Sequence, residues 1–156
     1  MQGFSLRPAT PDDLPKVLEI ERKFIPMPWT EENFIAEMHK PYSEFLILTD
    51  DETDEIVAGY IIYWTLFDEC QILNVVVDLP FRGIGIAQQM MRRAVQRATQ
   101  QNIRRMVLEV RKSNLPAIQL YQKLGWAITQ VRKGFYSNGE DAYQMSLLLD
   151  GPVFDF

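Results

Sequence analysis

Cysteine and histidine are almost missing from this 156-residue sequence: each occurs once, as Cys70 and His39. A lone cysteine closes no disulfide within the chain, and one cysteine with one histidine makes no zinc ligand set. Nucleophilic catalysis by Cys70 would need a base held beside it. His39 falls in a different predicted helix with no orienting motif, so Cys70 reads as a small residue at a strand start and His39 as a surface or helix-end group. Long hydrophobic runs are missing too. The stretch 61–67 is strand length, far below a membrane span, and no segment has the layout of a secretory signal, so the expectation is a cytoplasmic protein. Positive charge is in deficit, with a formal net charge of -5. That argues against affinity built on neutralising nucleic-acid phosphates and mildly favours cationic partners such as amines.

What is present is ordinary globular material, 47% hydrophobic and 24% charged, which sets aside disorder of the whole chain. Alternation predicts a strand over 4–7. Thr10 is a candidate N-cap with Pro11 at the first helical position and Asp12 and Asp13 at the positive end, predicting a helix to about Phe24. Pro26 and Pro28 stop it, and Thr30 with Asn33 restarts a second helix that ends near Pro41. Strands follow over 45–49, 56–67 and 71–77, most simply an antiparallel meander with the acidic stretch 50–55 as a turn.

Ala87, Met90, Met91, Ala94, Val95 and Ala98 then recur at helical spacing, opposite a polar face of Gln88, Gln89, Arg92, Arg93, Gln96 and Arg97 that reads as solvated. A strand over 106–110, a helix over 115–124 closed by Gly125, and strands over 126–131 and 142–149 complete the pattern. A right-handed crossover places 71–77 and 106–110 side by side and parallel, and the last two strands pair antiparallel. The length suits a single domain over 1–149, with 150–156 as a tail.

Between strand and helix lies Pro80-Phe81-Arg82-Gly83-Ile84-Gly85-Ile86-Ala87. Such a turn presents successive unpaired amides to an anion, and glycines allow close approach. Arg82 can add a charge-assisted contact. The spacing alone equally allows a plain connecting turn. No Gly-Lys-Ser/Thr follows, and a third glycine is lacking, so it is neither a nucleotide-triphosphate loop nor a dinucleotide fingerprint.

Glu109 interrupts the apolar run Met106-Val107-Leu108-Glu109-Val110. Desolvation by aliphatic neighbours raises a carboxyl group's proton affinity toward what a base near neutral pH needs. The alternative is a strand-end glutamate paired with Arg111 or Arg105. Tyr121 stands seven positions after Asn114, nearly two helical turns, which would put both on one face, about 10 Å apart. A core aromatic among Ile118, Leu120 and Leu124 is the other reading of Tyr121.

The loop from Arg82 to Ala87 resembles the Gln/Arg-x-x-Gly-x-Gly/Ala signature of the GNAT acetyltransferase superfamily, and the order of elements agrees over 4–149. Further stretches resemble the branch that acetylates ribosomal proteins on an N-terminal alanine. They are Pro28-Trp29-Thr30-Glu31, Asn74-Val75-Val76-Val77-Asp78, Leu108-Glu109-Val110-Arg111-Lys112-Ser113-Asn114, Ala117-Ile118-x-Leu120-Tyr121, Leu124-Gly125-Trp126 and Glu140-Asp141-Ala142. The resemblance implies an α/β fold built on a mixed, mostly antiparallel sheet flanked by helices, acetyl-CoA as cofactor, and a protein N-terminus as partner, without nucleic acid, membrane or metal.

It also implies Glu109 as base and Tyr121 as acid. Contacts to acetyl-CoA would come from Val75, Val76, Val77, Arg82, Gly83, Ile84, Gly85, Ile86, Ala87, Gln88, Asn114 and Tyr121, with Trp29 and Tyr136 as walls of the acceptor groove. For Trp29, a hydrophobic plug between the first two helices is an equal reading. Two other functions stay open at this point: a GNAT enzyme for small amines, and an acyl-CoA-binding module without turnover. The loop 134–139 is shorter than the family's usual form, and Pro116 sits in the second cofactor helix, which bears on acceptor selectivity.

Overall fold

The computed structural model describes residues 3–149; the tail expected at 150–156 lies outside the described residues. The described residues pack as two compact units, 3–64 with 74–94, and 65–73 with 95–149.

In the first unit, β1 (Phe4–Pro8) leads into a 3-10 turn at Pro11–Asp13, then α1 (Leu14–Phe24) and α2 (Glu31–Met38). The first helix therefore starts three residues later than the Thr10-Pro11 signal predicts. The Asp13 carboxylate accepts from the Thr10 amide at 2.7 Å and from both terminal nitrogens of Arg7, and this tightens the entry into a turn. The predicted start of α2 holds: Thr30 Oγ1 accepts from the Asn33 amide and Asn33 Oδ1 from the Thr30 amide, a reciprocal cap. His39 is the C-cap.

The strands β2 (Ser43–Asp50) and β3 (Val57–Leu66) follow, with β1 antiparallel to β2 and β2 antiparallel to β3. Leu14, Val17 and Leu18 of α1 and Phe34 of α2 are buried, as are Phe45 to Leu48 of β2. Phe34 meets Phe45 and Tyr60 ring to ring, 5.5 and 6.1 Å between centroids. Met90, Met91 and Ala94 of α3 (Ile86–Gln100) are also buried, at the helical spacing the sequence predicts.

β4 (Glu69–Val77) lies beside β3, and Gly59 marks a close approach between them within the first unit. A Cβ at Gly59 would stand 2.5 Å from the Val76 carbonyl oxygen and 3.3 Å from the Val77 Cα. Both are backbone atoms, so no rotamer change relieves the clash. Gly59→Ala should lower unfolding stability by about 1–3 kcal/mol, the usual cost of overpacking, measured by urea denaturation. An unchanged midpoint would mean that the strands separate freely at this point.

In the second unit, β5 (Arg105–Arg111) runs parallel to the start of β4, from Glu69↔Arg105 to Ile72↔Leu108. This is the parallel pairing expected of the crossover. Cys70, fully buried, stands opposite Met106 in this ladder. After α4 (Leu115–Lys123) come β6 (Ala127–Arg132) and β7 (Ala142–Leu148). β7 pairs antiparallel with β6, as expected, and also with β5, giving the strand order β1-β2-β3-β4-β5-β7-β6. The near-continuous apolar run of β5 suits an interior strand, whereas all six residues of β6 are exposed, as befits an edge. Pro116 stands in the first turn of α4, where an amide would have no intrahelical acceptor, so it leaves the helix intact. Among the described residues, no helix is long and apolar enough to cross a membrane.

Candidate active site

The first unit holds the loop ahead of α3. Gly83 and Gly85 have φ of 82° and 87°, left-handed values that glycine adopts without strain. An added Cβ at either would meet nothing within 4 Å, so the loop faces open space. Gln89 is the first helical residue whose amide returns to the loop, donating to the Gly85 carbonyl at 3.0 Å. Among the described residues, no group accepts from the amides of Gly83, Ile84, Gly85, Ile86, Ala87 or Gln88. Successive unpaired donors at a helix N-terminus, approached past two side-chain-free positions, fit the diphosphate of coenzyme A.

Arg82 differs from expectation. Its Nε donates to the Val77 carbonyl at 3.0 Å and its guanidinium lies 4.2 Å over the Phe24 ring, so part of its donor set braces the end of β4. Val76 is buried and Val75 and Val77 half-buried on that strand. Trp29 is half-buried with its ring 5.2 Å from Phe34, packing that favours the plug reading without closing its outer face.

The second unit holds the other predicted residues. Glu109, with a side chain 9% exposed, lacks the aliphatic surroundings its sequence neighbours imply. In a strand those neighbours point to the opposite face or lie above and below, and cross-strand residues form the environment. Here they are polar: Oε1 accepts from Arg132 at 3.0 Å and from Gln144 at 3.4 Å, and Oε2 from Gln71 at 3.2 Å. The ion-pair partner is Arg132, whereas Arg105 pairs with Glu69 and Arg111 with Glu140. Oε2 carries one donor only and is the oxygen with room to take a proton.

Tyr121 is buried at 8% exposure beside Trp126, ring centroids 6.3 Å apart. Burial pushes that phenol up to about 12, and the nearby Tyr136 adds to the shift. Tyr136 is itself raised, chiefly by burial and further by the charges of Glu109 and Glu140, with Arg111 opposing. Its ring lies 3.9 Å under the Arg111 guanidinium; Arg111 pairs with Glu140 at 3.1 Å, and Glu140 also accepts from the Ser113 amide. Glu109, Tyr121 and Tyr136 thus share one electrostatic neighbourhood, joined by an arginine clamp that spacing alone gave no means to find.

Asn114 corrects the helical-face argument. It is the N-cap of α4, with φ −84° and ψ 70°, and its Oδ1 accepts from the Ala117 amide. It is exposed with its side chain engaged in that cap, whereas Tyr121 is buried, so the helical spacing alone does not aim the two side chains alike. The sequence reading also passed over Glu21, fully buried in α1, although Leu14, Val17, Leu18 and Glu21 fall at the core spacing i, i+3, i+4, i+7.

A model of the acetyltransferase (GNAT) family matches residues 14–126. A Bacillus subtilis protein provisionally named ribosomal protein bS18-alanine N-acetyltransferase is 38% identical over 136 residues, 86% of this chain and 88% of its own. An N-alpha-acetyltransferase of Saccharolobus solfataricus is 31% identical over 158 residues, covering 93% of each chain. The crystal structure of the ribosomal-protein-S18-alanine N-acetyltransferase from Escherichia coli superposes with a TM-score of 0.83 at 26% identity, covering 99% of this chain and 100% of that one. With well over half of its length matched by the family model, the chain belongs to the GNAT acetyltransferase family.

Proposed function

We propose that this enzyme transfers the acetyl group of acetyl-CoA to the α-amine of a protein N-terminus, with a ribosomal protein beginning with alanine as the acceptor. Residues 1–149 act as one catalytic domain, in the cytoplasm, where that acceptor is made. The relatives named for N-terminal and bS18-alanine acetylation support the acceptor class. The observation that carries the chemistry is a buried phenol at Tyr121, kept in its neutral form by that burial, in the same polar neighbourhood as Glu109 and Tyr136.

Bound acetyl-CoA supplies an acetyl thioester. The amides of Gly83 to Gln88, with Arg82, hold its diphosphate, and Asn114 adds a contact from the cap of α4. Main-chain groups of Val75, Val76 and Val77 line the acetyl end, the Val76 amide polarising the carbonyl oxygen as negative charge develops. Glu109 takes a proton from the acceptor amine at Oε2, through a water, and Tyr121 gives its proton to the departing thiolate. Trp29 and Tyr136 wall the acceptor groove.

Proton affinities favour an α-amine over lysine. A terminal amine with pKa about 7.8 is roughly a tenth neutral at pH 7, and a lysine at about 10.4 only a few parts in ten thousand, a difference of about 3.5 kcal/mol. Purified protein with acetyl-CoA should release free CoA when given an alanine-starting ribosomal peptide, and far more slowly with polyamines or amino-acid derivatives. Faster turnover of the small amines would overturn the acceptor assignment. Cofactor binding in calorimetry without acceptor-dependent release would overturn the enzyme.

A further inference from the structure

Glu21 takes no part in the mechanism, yet it is a fully buried carboxylate on the apolar face of α1. Burying such a group is costly unless the protein supplies donors, and an apolar residue of similar size at such a site is often neutral or stabilising. Three donors converge on it. Oε1 accepts from the Tyr60 hydroxyl and from Asn74 Nδ2 at 3.2 Å, and Oε2 accepts from the Trp29 amide at 3.0 Å. Burial, and then the Glu21 charge, raise the Tyr60 phenol far above its ordinary range, so Tyr60 stays a donor.

All four residues belong to the first unit, and each donor comes from a different element. Tyr60 is on β3, and Asn74 immediately precedes Val75-Val76-Val77 on β4. Trp29 lies in the link between α1 and α2, where Pro26 and Pro28 have no amide to give. The Trp29 amide is thus one of few main-chain donors by which that link can be fastened. The ring of Trp29 on Phe34 leaves rotation and sliding open, whereas a hydrogen bond to a fixed oxygen sets its position.

We infer that Glu21 is a positioning residue for the acceptor: it ties the link at Trp29 to the strand that begins the acetyl-binding segment, and so sets how tightly the acceptor is held. The inference rests on the reading of Trp29 as a wall of the acceptor groove. A tether of this kind acts on the acceptor KM and leaves the acetyl-CoA KM alone.

Steady-state kinetics of Glu21→Met and Glu21→Gln against an alanine-starting ribosomal peptide test this. Methionine fills similar space and is only a weak acceptor, so the peptide KM should rise about tenfold, the effect of one buried hydrogen bond lost, with the acetyl-CoA KM unchanged. Glutamine can accept from the Trp29 amide and donate to Tyr60 and to Asn74 turned about its amide, so it should restore a near wild-type KM. Equal KM values for Glu21→Met and wild type, or a parallel rise in both KM values, overturn the inference. Should Glu21→Met not fold, hydrogen exchange on the wild-type protein decides: the Trp29 amide should exchange far more slowly than that of exposed Glu31, the first residue of α2, whose amide has no intrahelical acceptor, and equal rates overturn the tether. If the wild type acetylates small amines but no N-terminal peptide, the acceptor assignment has failed. The same KM comparison with the accepted amine then tests Glu21 on its own.

Discussion

With Glu109 replaced by glutamine, kcat near pH 6.5 should fall by about 10²–10³-fold, within the range a positioned general base contributes. The deficit should shrink as pH rises. Below about 7.8 the acceptor amine is mostly protonated, and attack waits on a proton that Glu109 removes. Above that pH solvent has already taken most of it, and the variant lacks less. Glutamine keeps an oxygen for Arg132, so the strand pairing around it should survive and the acetyl-CoA KM should change little. Superimposable pH profiles, differing only by a constant factor, would remove Glu109 from the role of base.

Tyr121→Phe should lower kcat roughly 10²-fold by a factor that does not vary between pH 6 and 10. The sign follows from burial: it favours the neutral phenol and holds it protonated to about 12, so no ionisation of Tyr121 enters that window. Stability should not follow activity. Phenylalanine keeps the packing against Trp126, so the change in unfolding free energy should stay within about 1 kcal/mol, the net worth of one hydroxyl hydrogen bond. A large loss of stability alongside the loss of rate would make Tyr121 a core residue and return the acid to some other group.

Local signals were legible in the sequence where a residue's role is settled by its chain neighbours. Thr30 and Asn33 announce the start of α2, and Ala94 and the two methionines mark the inner face of α3 because helical geometry fixes which residues align. Gly83 and Gly85 announce the loop because few other residues tolerate its backbone. The environment of Glu109 was not legible, since Gln71, Arg132 and Gln144 reach it from other strands. Nor was the placement of β7 beside β5, which depends on register between segments far apart in the chain. Asn114 was misplaced for the opposite reason: its spacing counts it as helical, whereas its side chain stands outside the helix and caps its start. Glu21 could have been read from its core spacing, but a charged residue there registers as an exception until its donors are known.

The burial of Cys70 has a practical side. Enclosed in the β4–β5 ladder, the sole sulfhydryl of the chain should stay silent toward disulfide reagents in the native protein. Colorimetric titration would then count only the CoA set free in each turnover, and a cysteine engineered at an exposed position would carry a fluorophore at one defined address.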